Sequence, residues 1–202
     1  MIRPFGEAAI LVELDSADQA QALAASLRTD PTSGVIEAVP GLASLLVELD
    51  PLFADTDRVA AVIERRIVGL DPTPLAGATH TIPVVYDGPD LDEVGALLDL
   101  EPSEVVALHA SVELRVLFCG FAPGFAYLGD LPAALHVPRL ASPRAHTPAG
   151  SVAIAGSMSG IYPADLPGGW RVIGRTDVSL FDPRRDPPAL MLPGDRVRFE
   201  PA

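Results

Sequence analysis

Apolar positions follow two regimes along the chain. As far as Leu70, short alternating runs are separated by segments of helical spacing. The run Ala-Ile-Leu-Val-Glu-Leu within Ala8 to Leu14 predicts a strand, and Asp15-Ser16 then caps an alanine-rich helix over Ala17 to Arg28. Val35 to Val39 and Leu45 to Leu49 flank Pro40-Gly41-Leu42-Ala43 and read as a hairpin. Between Asp55 and Leu70 the apolar residues Val59, Val62, Ile63, Ile67 and Leu70 keep helical spacing until Asp71-Pro72-Thr73-Pro74 stops them. The order is βαββα. A further run, Thr79 to Val85, either completes a ferredoxin-like βαββαβ unit or opens the next domain.

Beyond it, Asp90-Leu91-Asp92-Glu93 opens a short helix, and Pro102-Ser103-Glu104 starts another that runs to about His109. After Ser111 helical spacing gives way to short β-type runs, including Glu113–Cys119, Ser151–Ala155, Val178–Phe181 and Arg196–Phe199, punctuated by Gly and Pro. That is how a closed or nearly closed β-barrel reads. The expected fold is therefore α+β, with a small N-terminal α/β domain of ferredoxin-like order over residues 1–75 and an all-β barrel domain over residues 76–202.

Charge and composition narrow the possible functions. A formal net charge of −13 with no basic run argues against nucleic-acid or anionic-membrane partners. No run approaches the roughly 20 apolar residues of a membrane span, and the start reads unlike a signal peptide, so a cytoplasmic protein is expected. Cys119, the single cysteine, reads as a buried small side chain within a strand. Every basic side chain is an arginine, which removes a Schiff-base lysine and the Gly-Lys-Ser/Thr phosphate loop together. The four histidines lack a compact ligand spacing, and no metal is expected.

Candidate chemistry gathers in three clusters. The first, Gly120 to Gly129, uses three glycines and a proline to display aromatics. In the second, Pro143 to Val152, Arg144, His146, Thr147 and Ser151 lie beside backbone amides freed by Gly150, a combination suited to a carboxylate or phosphate. The third joins Gly160-Ile161-Tyr162-Pro163 to Pro167–Thr176, which places Tyr162, the single Trp170, Arg171 and Arg175 around tight turns and reads by itself as a loop. The competing role for all three is structural, as barrel turns or a partner interface.

These segments, with Leu180–Pro188 and Leu192–Phe199, resemble in order the allophanate hydrolase subunit 1 family, which is also called the 5-oxoprolinase B-type or kinase-inhibitor family. The resemblance covers nearly all of residues 109–202. His109, Gly120, Pro123 and Gly124 are in pattern, whereas Leu114 stands where an aromatic residue is usual. It implies a cyclophilin-like β-barrel after the N-terminal domain. It also implies work with a larger homologous subunit and a third protein to open the 5-oxoproline lactam at the expense of ATP, bound by or shared with the partner. A kinase-inhibitor branch implies the alternative of a non-catalytic regulator that inhibits a histidine kinase, and fold analogy alone suggests a prolyl isomerase.

On residue type and motif membership, Arg175 and His146 are the expected catalytic residues, with Arg175 binding an anion and His146 carrying a proton although no carboxylate partner is visible. Arg144 is expected to bind an anion. Tyr162 and Trp170 are expected to wall the same substrate pocket, with Phe121, Pro123, Gly124, Gly168 and Gly169 contributing its loops.

Overall fold

A computed structural model describes residues 1–74 and 76–202, and the chain divides into two compact units, Met1–Ala76 and Gly77–Ala202. Residue 75, where the sequence sets the domain boundary, lies outside the described residues.

In the first unit, strands β1 (Ile2–Pro4), β2 (Ala9–Glu13), β3 (Val35–Pro40) and β4 (Ser44–Leu49) form an antiparallel sheet in the order β1-β2-β4-β3. Helices α1 (Ala17–Thr29) and α2 (Thr56–Val68) bury one stripe each, and Leu23, Leu27, Val59 and Ile63 meet Ile10, Val12, Leu45 and Val47 in one core. The Ser16 and Asp55 side chains cap the two helices by accepting from the amides of Gln19 and Arg58. The ferredoxin-like closing strand is not supplied by Thr79–Val84. The edge beside β2 is instead filled by β1, which the sequence pattern does not predict because three residues carry too little period.

In the second unit, β5 (Thr79–Val84) pairs parallel with β13 (Arg196–Pro201). The other barrel strands are β6 (Glu113–Cys119), β7 (Ala126–Gly129), β9 (Ser151–Ala155), β10 (Met158–Ile161) and β12 (Arg171–Arg175), in the sheet order β12-β9-β10-β7-β6-β13-β5. The two edges then meet. Val85 and Arg175 exchange backbone hydrogen bonds of 2.9 Å in each direction, which makes the barrel nearly closed. Helices α3 (Leu91–Leu98) and α4 (Pro102–Ala110) add Leu91, Val94 and Val105 to its core. A separate ribbon pairs β8 (Arg144–Thr147) with β11 (Leu166–Gly168).

Alternation explains the Val-Ala-Ile-Ala run of β9. Val152 and Ile154 enter the main barrel core, while Ala153 and Ala155 face a second cluster of Phe125, Tyr162, Trp170 and Val172, where a small side chain leaves room for rings. The Pro167–Thr176 stretch, expected to be a loop, contains β11 and the almost wholly buried β12. Conversely, Val178–Phe181 is not a strand. It makes one isolated bridge, Phe181 to Ala189, because a proline-rich turn follows directly.

Candidate functional site

The second unit holds a cavity of about 370 Å³ whose wall includes Asp87, Gly88, Arg144, His146, Ser151 and Arg175. Besides the turn into β9, which brings Pro148, Ala149 and Ser151, three chain segments build it. The β8 strand brings Arg144 and His146, the end of β12 brings Arg175, and the turn between β5 and α3 brings Asp87 and Gly88. The turn Pro148-Ala149-Gly150 can lie against Thr176 because Gly150 has φ +79, and a Cβ there would stand 2.2 Å from the Thr176 carbonyl oxygen.

Each basic side chain of this cavity has a carboxylate near it. The Arg144 Nη2 donates to Asp90 Oδ1 at 2.5 Å, and the other Asp90 oxygen accepts from the Val172 amide at 2.6 Å. Asp90 is 5% exposed at its side chain, so this pair is largely removed from water. Arg175 Nε donates to Asp87 at 3.0 Å with both side chains about half exposed, where the pairing orients more than it stabilises. His146 Nδ1 lies 3.5 Å from Asp165, and both side chains are largely exposed. None of these three acids is among the site residues expected from the sequence. His146 does have a carboxylate, contrary to expectation, since the Asp165 contact depends on the β8–β11 ribbon.

Arg144 is thus not the free anion binder that residue type suggested, because Asp90 neutralises it. It keeps one unspent donor, since its Nη1 is buried with no hydrogen-bond partner among the described residues.

Tyr162 and Trp170 do not share that cavity. They line a smaller recess of about 110 Å³ with Phe121, Tyr127, Gly168 and Gly169. There Phe125 meets Tyr162 and Trp170 edge-on, and the Arg139 guanidinium lies 6.0 Å from the Trp170 ring centroid. Gly168 is obligatory in this recess, because a Cβ would stand 2.1 Å from the Tyr162 hydroxyl. Burial raises the Tyr162 pKa. Phe121 holds φ +70 and remains 59% exposed. Gly124, at φ +85, packs on Leu180 and Phe181, while Pro123 is exposed on the same loop. The expected site residues therefore separate into a polar cavity and an aromatic recess, joined through the pairing of Arg144 with Gly168.

A third group lies beneath the barrel surface. His109 is fully buried, with Nδ1 2.8 Å from the Tyr86 hydroxyl and Nε2 2.9 Å from Ser159 Oγ. Ser159 donates to the Ala153 carbonyl, so the consistent assignment has His109 Nε2–H donating to Ser159 and Tyr86 donating to Nδ1. Burial lowers the His109 pKa to about 3 and raises that of Tyr86, so both stay neutral. No group of three or more His, Cys, Asp or Glu placed to hold a metal ion occurs among the described residues. No helix among them is long and apolar enough to cross a membrane.

Comparison with known proteins places this geometry in a family. The carboxyltransferase domain, subdomain C and D, family model matches residues 1–191. The B subunit of 5-oxoprolinase from Escherichia coli O157:H7 is 44% identical over 97% of this chain and 93% of its own length. The protein of the same name from Bacillus subtilis is 38% identical over 88% of this chain and 80% of its own. A crystal structure of TTHA0988 superposes on all of this chain with a TM-score of 0.85 at 38% identity, and the chain spans 40% of that longer polypeptide. From the match over residues 1–191 and these identities, the chain belongs to the carboxyltransferase subdomain C and D family, among relatives named as the B subunit of 5-oxoprolinase.

Proposed function

We propose that the chain is a subunit of an ATP-dependent cyclic-amide hydrolase, of which the 5-oxoproline-to-glutamate type is the reading best supported, acting with a larger homologous subunit and a third protein. The relatives named for 5-oxoprolinase support the reaction, and the longer TTHA0988 polypeptide supports a larger companion module. The observation that carries the site is one cavity whose wall brings together Arg144, Arg175, Asp87 and His146.

A lactam is a resonance-stabilised amide, and phosphoryl transfer from ATP to its oxygen, which releases ADP, makes the ring carbon electrophilic; water adds there, the C–N bond breaks as the nitrogen takes a proton, and a second water releases phosphate from the acyl phosphate. This chain's residues supply orientation and charge. Arg175 takes the substrate carboxylate, and the Arg144 guanidinium, held by Asp90, faces the amide oxygen with its positive charge. Asp87 accepts the lactam N–H and distinguishes a cyclic amide from an ester. His146, exposed at the rim near Asp165, carries a proton to or from the opening ring. Because Asp87 and Asp90 offset the two arginines, the cavity is suited to a small amide acid rather than to a triphosphate.

The test is ATP-dependent glutamate release from 5-oxoproline by this chain alone, with the larger partner and with both partners, for wild type, Arg144→Ala and Arg175→Ala. Turnover in the complete assembly, lost in arginine variants that still assemble, is the expected result. No turnover in a demonstrably assembled wild-type complex would reject this substrate.

A further inference from the structure

The first unit carries its own cavity of about 580 Å³, between α2 and the segment that leaves α1, lined in part by Thr32, Ser33, Arg58, Val62, Arg65 and Arg66. At about 100° per residue, Arg58, Val62 and Arg65 fall on one stripe of α2 about 60° wide, while Asp57 and Glu64 lie roughly 100° or more round the helix from its centre. The acidic residues of α2 therefore face away from the groove.

The three arginines play different parts. Arg66 is spent on structure: its Nη1 donates to the Ser26 carbonyl at 2.6 Å, and its Nη2 donates to the carbonyl and carboxylate of Asp30 at 2.7 and 2.8 Å. It fixes the groove wall and neutralises the Asp30 carboxylate that lies in it. Arg58 and Arg65 have no side-chain hydrogen bond or ion pair among the described residues. Their two forks of planar donors thus face one groove uncompensated, in a chain with 27 acidic residues and a net charge of −13. The cavity of the second unit differs, because each of its two arginines has a carboxylate beside it.

We propose that this groove binds the phosphate chain of a nucleoside di- or triphosphate. Arg58 and Arg65 clamp the phosphoryl oxygens, Thr32 and Ser33 offer hydroxyls, and Pro31 and Val62 form an apolar floor for the rest of the molecule. The site is independent of which amide the assembly opens, so its test needs no turnover.

The experiment titrates the full chain with inorganic tripolyphosphate, ATP and a poly-glutamate peptide by calorimetry at low salt, about 50 mM, for wild type, Arg58→Ala/Arg65→Ala and Arg3→Ala. In parallel, mass spectrometry maps phenylglyoxal modification with and without tripolyphosphate. Expected are binding of tripolyphosphate and ATP by wild type and Arg3→Ala, a loss of about tenfold or more in the double variant, and protection of Arg58 and Arg65 from modification. Absence of wild-type binding, equal affinity in the double variant, or tighter binding of poly-glutamate than of tripolyphosphate would each overturn the proposal.

Discussion

The carboxylate of Asp90 serves Arg144 with one oxygen and the backbone of Val172 with the other, and so fastens the start of α3 to both the β8 ribbon and the barrel. Asp90 holds the N-cap position of α3 without making the usual side-chain cap, because both oxygens are directed to partners far along the chain. Removing one member of such a pair leaves an uncompensated group. Asp90→Ala should therefore cost about 3 kcal/mol or more in urea unfolding, and Arg144→Ala should cost less, since Arg144 is the more exposed partner. A double-mutant cycle should show coupling of about 1–3 kcal/mol. Strict additivity would show that the two side chains do not support one another.

Gly88 lies where the turn lining the cavity touches β12. A Cβ there would stand 2.3 to 2.5 Å from backbone atoms of Val172, Ile173 and Gly174, none of which can rotate away. Gly88→Ala should destabilise by about 2–3 kcal/mol. Gly120→Ala, where a Cβ meets nothing within 4 Å, should stay under about 1 kcal/mol. Equal midpoints for the two variants in chemical denaturation would contradict this.

His109 gives a pH dependence of definite sign. The unfolded chain binds a proton on this imidazole near its ordinary value of 6.5, whereas the folded one stays neutral down to about 3. Unfolding between those values takes up a proton, so His109 supports stability fully above about pH 6.5 and progressively less as pH falls towards 3. The slope from this group is at most about 1.4 kcal/mol per pH unit. Urea midpoints for wild type and His109→Gln between about pH 7 and 4 should show a shallower decline in the variant, besides its overall loss from the broken Tyr86 and Ser159 bonds.

Burial, and secondarily the Asp195 charge, push the Cys119 thiol up to about 11, and its Sγ donates towards the Met191 carbonyl. At pH 8 the thiolate fraction should be about a hundredfold below that of an ordinary cysteine. Alkylation by iodoacetamide should be slower than that of glutathione by a comparable factor, until denaturant is added. Rapid labelling of the folded chain would instead mark Cys119 as an activated thiol.

Much of the fold is legible in the sequence because its signals are local. Glu113–Cys119 and Ser151–Ala155 coincide with β6 and β9, since runs of apolar and β-branched residues bounded by turn formers need no distant information. The allegiance of Thr79–Val84 is not legible, because it depends on β13, more than a hundred residues later. The site behaves in the same way. Arg144, His146 and Arg175 stand out by residue type, but the acids that temper them come from segments whose proximity exists only after folding. The turn Asp87-Gly88-Pro89-Asp90, two carboxylates bracketing a Gly-Pro pair after a strand, is the available signal.

Arg175 joins two roles that proteins often keep apart. Its backbone is one half of the rung that joins β12 to the end of β5, while its side chain stands in the polar cavity. The clasp is also a working part, and backbone bonds from Gly88 to Ile173 and from Asp90 to Val172 continue it along the same edge. A fluctuation that parts Val85 from Arg175 would open that end of the seam and shift the guanidinium together, so the cavity and the seam loosen as one. Substrate that engages this arginine would in turn hold the hoop shut, tying occupancy of a half-exposed site to the integrity of strands that never touch it.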